Sequence, residues 1–166
     1  MAWTTPKTDW ATGELVTAAD VNAIGENLVA LKQLSAVVSH TTTADIDVPI
    51  GTIGNTFVDV ATDNLNLTIT TAGGDVMVHF HGSIKVWDRR FIYLDIEVDG
   101  ARLGGDDGTF THQLVEVSGG KHANNLLSFT RLIQNLSAGS HTFKLQWKGD
   151  YNYTIKAGAQ FWVREI

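Results

Sequence analysis

Apolar side chains recur at two different spacings along the chain, and the change from one to the other divides it. Over residues 17–34 the spacing is helical: Val21, Ile24, Leu28 and Leu31 follow at intervals of three, four and three. They share one seam, the a and d positions of a coiled coil, with Leu34 beside its continuation. Asn22, Glu26, Lys32 and Gln33 fall on the opposite side. Thr17 with Asp20 three residues on is a capping-box start, Asp standing where Glu is usual. So short a helix is marginal alone in water, and its seam needs a partner. The partner is either the same seam in other copies or the chain's own β domain.

From residue 36 onward the period is two. Val58 and Val60 precede Leu65, Leu67 and Ile69; then Val76, Val78 and Phe80 alternate, continuing through Gly82 to Ile84 and Val86. Ile92, Leu94, Ile96 and Val98 alternate with Tyr93, Asp95, Glu97 and Asp99. Phe143, Leu145 and Trp147 repeat the pattern, as do Ala159, Phe161 and Val163. Each run is a half-buried antiparallel strand with one core face. Asp99-Gly100, Gly104 to Gly108, Gly119-Gly120, Gly139 and Gly149-Asp150 supply the turns between them. The prediction is all-β: an antiparallel jelly-roll sandwich of roughly eight strands, preceded by one N-terminal α-helix.

The chain thus divides into an extended segment (1–16), a helix whose seam needs a partner (17–35) and a jelly-roll head (36–166). Residues 1–16 show no sustained periodicity, yet hold Trp3 and Trp10, two of the five tryptophans, with Pro6 and Gly13. Exposed indoles at a terminus are costly unless they dock, so this segment is expected to pack on its own oligomer or on a partner.

Charge narrows the partners. With 12 Lys+Arg against 18 Asp+Glu the net charge is -6, which argues against nucleic acid and anionic membranes. No cysteine is present, so disulfides, zinc–thiolate sites and thiol nucleophiles are excluded. No secretory signal and no run of ~20 apolar residues is visible, so membrane insertion is not expected.

Trp3-Thr-Thr-Pro6-Lys-Thr, Trp10-Ala-Thr-Gly13-Glu-Leu-Val-Thr17-Ala-Ala-Asp20-Val-Asn22 and Asn27-Leu28-Val-Ala-Leu31 together resemble the N-terminal segment of tailed-bacteriophage virion proteins. More diffusely, Asp99-Gly100, Leu136-Ser-Ala-Gly139-Ser-His-Thr-Phe143 and the closing Phe161-Trp-Val-Arg-Glu-Ile166 resemble the trimeric jelly rolls of the tumour-necrosis-factor and complement globular-head kind. The two resemblances imply a virion component, a homotrimer tethered by helix 17–35 through Val21, Ile24, Leu28 and Leu31, with other virion proteins as partners of Trp3, Pro6 and Trp10. Without a visible secretory signal it is expected to be made in the host cytoplasm. A tail-fibre or receptor-binding head is the first expectation and a trimeric capsid-decoration protein the second.

Enzymatic leads are thin. His79 and His81 point to one face of a strand, as metal ligation requires, and Gly73 six residues earlier completes the start of a cupin-like motif. Lys85 and Val86 stand where the motif wants Glu, so no catalytic metal and no cofactor are expected. Asp95, Glu97 and Asp99 share a strand face at Cα spacings of roughly 7 Å, read as a solvated face in preference to a glycosidase pair. Asp106 and Asp107 are weak calcium candidates lacking the alternating oxygen ligands of known loops. No nucleophile elbow or phosphate loop occurs.

Binding-type residues cluster in two connections, Trp87-Asp-Arg89-Arg90 and Gly149-Asp-Tyr151-Asn-Tyr153. Rings beside Asp, Asn and Arg suit host surface carbohydrate, stacking on apolar ring faces while polar groups take hydroxyls. Strand parity places loops 87–90, 118–123 and 149–153 at one end of the head. A further strand over Ala101 to Leu103 would separate the first from the others.

Overall fold

A computed structural model describes residues 13, 15–34, 37–48, 56–60, 65–86, 90–114, 123–149 and 153–166. Helix α1 (Ala18–Leu34) precedes twelve strands: β1 (Val37–Thr41), β2 (Ile46–Val48), β3 (Val58–Asp59), β4 (Asn66–Thr71), β5 (Gly74–Val86), β6 (Arg90–Val98), β7 (Ala101–Arg102), β8 (Phe110–Leu114), β9 (Ala123–Leu136), β10 (Gly139–Lys148), β11 (Tyr153–Ile155) and β12 (Gln160–Glu165).

Several strands are halves of one row. β1 and β2 pair with β12 and β11 in succession, and both of these pair with one side of β5. β3 and β4 lie along one side of β10, and β7 and β8 along one side of β6. Merging the halves leaves four rows per sheet. In chain order of rows, sheet A runs 1-8-3-6 and sheet B runs 2-7-4-5. That interleaving of two antiparallel sheets is a jelly roll. β7 is the extra strand that threatened the loop count, but it runs in the same direction as β8, so parity survives. Registers Val86↔Ala123, Tyr153↔Val86, Arg90↔Leu114 and Lys148↔Tyr93 put the flanks of connections 87–89, 115–122 and 150–152 at one end.

The alternating residues meet between the sheets. Val76, Val78, Phe80, Ile84, Phe161 and Val163 of sheet A face Leu67, Ile69, Ile92, Leu94, Ile96, Phe143, Leu145 and Trp147 of sheet B, all buried in one core. Burying each large side chain contributes roughly 1.5–3 kcal/mol before entropy is charged against it. Gly82 keeps the period but carries no side chain, because a Cβ there would lie 2.8 Å from the Ala159 Cβ and 2.9 Å from the Phe80 ring. Ala159 arrives at the break between β11 and β12, which locks onto the break between β1 and β2. Thr42 N donates to Ala159 O at 2.8 Å, Ala159 N to Thr42 Oγ1 at 3.0 Å and Ala157 N to Asp45 Oδ1 at 2.9 Å.

The helix begins as its cap predicts: Thr17 N donates to Asp20 Oδ2 at 2.9 Å, and Asp20 N to Thr17 Oγ1 at 3.3 Å. α1 approaches β4 and buries Asn27. Val21, Ile24 and Leu28 stay 57%, 51% and 56% exposed. The core contains no described residue of α1.

Candidate functional site

Each sheet turns one face inward and one outward, and the two outer faces carry the chemistry. On sheet A the registers align Val37–Arg164–Met77–Leu132, Ser39–Trp162–His79–Thr130 and Thr41–Gln160–His81–Ser128 across β1, β12, β5 and β9. Nothing in the local sequence joins these residues; the sheet does, since alternate positions share a face. His79 stacks on Trp162 with centroids 5.0 Å apart, and its Nδ1 hydrogen-bonds Thr130 Oγ1 at 2.8 Å. Burial, and next the nearby His81, push the His79 pKa below its ordinary value, so the ring is neutral near pH 7. On the β1 side of Trp162 lies a groove of about 310 Å³ lined by Val37, Ser39, Thr41, Gln160, Trp162 and Arg164.

The outer face of sheet B is held by an anchored loop and a cluster of ion pairs. Asp95, fully buried, accepts from Ile96 N at 2.8 Å, Gly104 N at 3.0 Å and Thr109 Oγ1 at 2.5 Å, with Arg102 Nε at 3.4 Å. Beside it Lys144 Nζ reaches Glu97 at 3.0 Å and Asp59 at 3.3 Å, hydrogen bonds that raise its pKa. Gln146 Nε2 donates to both of these carboxylates, at 2.6 and 2.8 Å. The expected solvated face is therefore corrected: loop 103–109 folds over Asp95 and uses it as an anchor. Asp99 is not part of that face; it sits in the following turn and bonds His141 Nδ1 at 2.6 Å. The chain's own cations meet the calcium candidate loop, where Lys148 Nζ donates to Asp106 O and Arg102 to the carbonyls of Gly104 and Gly105.

Of the anticipated metal ligands, His79 and His81 do share a face, yet no group of three ligating side chains occurs among the described residues. Trp87, Arg89 and Tyr151 lie outside the described residues, as do Trp3, Pro6 and Trp10 and the side chains of Arg90 and Leu31. Tyr153 is placed differently from its expected role at a ligand loop. It is 1% exposed within β11, packs on Trp147 and donates from its hydroxyl to Phe91 O at 2.8 Å. Gly149 admits that ring, since a Cβ there would lie 2.5 Å from it. Sequence reasoning missed the β1–β12 groove, which exists only once strands more than a hundred residues apart are paired.

No protein-family model and no curated protein matches the chain. Among solved structures, it is similar to one of the infectious bursal disease virus Gx strain, with 13% identity, TM-score 0.44, and coverage of 77% of this chain and 30% of that one. A pentameric capsid protein from metagenomic phage sequences gives 17% identity, TM-score 0.31 and coverage of 93% and 78%. An exo-beta-1,3-galactanase from Phanerochaete chrysosporium gives 15%, 0.35, 77% and 29%. The chain spans about a third or less of the length of the first structures it matches. At such identities and TM-scores the likenesses fix neither family nor activity. No described helix is long and apolar enough to cross a membrane.

Proposed function

We propose that the chain is a non-enzymatic structural component of a bacteriophage particle, a homotrimer joined through α1 with its jelly-roll head turned outward. The observation that carries this reading is the stripe of Val21, Ile24 and Leu28, more than half exposed beside a core that closes without it. A seam at coiled-coil spacing is satisfied by its own copies, and closed cyclic symmetry limits the assembly. Leu31 continues the seam in sequence. Trp3, Pro6 and Trp10 precede it and, through their resemblance to phage attachment segments, anchor the trimer to other virion proteins.

A tail-fibre or receptor-binding position is the favoured placement, with capsid decoration second. Trp87, Arg89, Arg90 and Tyr151 are the proposed carbohydrate contacts, at the end of the head where the strands flanking three connections finish, and three heads would add avidity to weak contacts. A cupin-like metal role fits less well, because His79 is already held by Trp162 and Thr130.

Ile24→Asp tests the seam. A charge there must be desolvated in every copy at once, while the head keeps its own core. Light scattering is expected to show a trimer for the parent and a monomer of 18.1 kDa for the variant, with β-sheet circular dichroism retained. A monomeric parent overturns the reading. Labelled imaging of intact particles separates tail from capsid.

A further inference from the structure

We propose that the groove between β1 and β12 is a binding site for a carboxylated pyranose, a sugar ring bearing an acid group. This goes beyond the assembly proposed above and does not use its α1 seam, since the described lining residues lie on β1 and β12. The His79 stack holds the Trp162 indole on its β5 side. On the β1 side the residue opposite is the small Ser39, and the groove borders the ring there. An indole flanked by a hydroxyl pair, Ser39 and Thr41, and the Gln160 amide matches a ring with an apolar face and hydroxyls at its rim.

Charge selects the acidic sugar. Arg164 lines the same groove and has no acid partner among the described residues, whereas Arg102, Lys144 and Lys156 all face carboxylates. No Asp or Glu is among the described residues that line the groove. The nearest acids along the neighbouring chain are engaged elsewhere: Glu165 is buried and accepts from Ala72 N and Gly73 N, and Asp75 accepts from Asn135 N. One guanidinium suits one carboxylate, in a bidentate pair. A polyphosphate or nucleic acid would require several cations, and the chain's net charge of -6 repels it. The volume is at the lower end of the ~300–1,000 Å³ of small-molecule sites.

The test is titration of the full chain, followed by tryptophan fluorescence and saturation-transfer NMR, with sialyllactose and trigalacturonate as acidic probes and lactose and cellotriose as uncharged ones. At least one acidic probe is expected to bind about tenfold or more tightly than its uncharged counterpart, a difference that Arg164→Gln abolishes and Arg164→Lys only reduces. Trp162→Ala should remove binding of all four; because it also exposes His79, the exposed Arg164 carries the decision. Equal binding of acidic and uncharged sugars, no binding of either acid, or unchanged affinity in Arg164→Gln overturns the proposal. A change in assembly mass with Arg164→Gln also overturns it, by making the groove a contact between copies. A monomeric parent that still binds would leave the groove standing while removing the trimer.

Discussion

The outer faces of the two sheets are built from similar strands and finished differently. On sheet B the central charges are paired: Asp95 with Arg102, and Lys144 with Asp59 and Glu97, the two acids that Gln146 also bonds. On sheet A, Arg164 has none among the described residues, Leu126 and Leu132 are exposed, and Trp162 borders an open groove. A loop covers the first face, whereas no described element covers the second. The difference teaches that strand alternation fixes which residues point outward but not whether water is their final neighbour.

Substitutions on each face can break or sharpen that contrast. The largest effect is expected for Asp95→Ala, which strands Gly104 N, Thr109 Oγ1 and the Arg102 guanidinium around a void. A loss of about 3 kcal/mol in urea unfolding is expected; a loss below about 1 kcal/mol would mean that loop 103–109 holds without its anchor. A smaller effect comes from the His141–Asp99 pair at the sheet B turn. The Asp99 hydrogen bond raises the His141 pKa from 6.5, while Thr142 N first and His141 second lower that of Asp99 from 3.8. His141 therefore stabilises fully below pH 6.5 and loses that contribution as pH rises through its folded value. Asp99 contributes above 3.8 and loses its share as pH falls through its lowered value, so the pair works best between the two. Between pH 6 and 8 the parent should lose stability relative to His141→Gln. The change is of the order of 0.5 kcal/mol, since solvent screens the half-exposed Asp99. Smallest of all, Leu126→Asn on the sheet A face should leave single-chain stability within about 0.5 kcal/mol. A loss like that of Asp95→Ala would show that this face is covered and the contrast false.

Much of this architecture was legible in the sequence. Val76 to Val86 and Ile92 to Val98 show period two because each strand buries one side. Thr17 with Asp20, and Asp99-Gly100 with both residues at positive φ, announce a helix start and a hairpin turn. What escaped depends on contacts distant in sequence. Asp95 looks solvated until Gly104 and Thr109 fold over it. Tyr153 looks like a loop aromatic until Gly149 is seen to make room for its ring. Trp162 and Arg164 read as ordinary outward residues of a closing strand, because the wall of their groove is β1.

The interrupted rows bear on solubility. An edge strand can template the addition of another chain, and breaks blunt that tendency. Three of the four edge rows are split: β1 with β2, β3 with β4, and β7 with β8. The fourth, β9, runs for 14 residues and pairs only with β5 among the described residues. Its bulge near Asn135 comes at the very end, and Arg131 is the one charged residue along it. Among the described edges, β9 is therefore the one least protected against strand addition at high concentration.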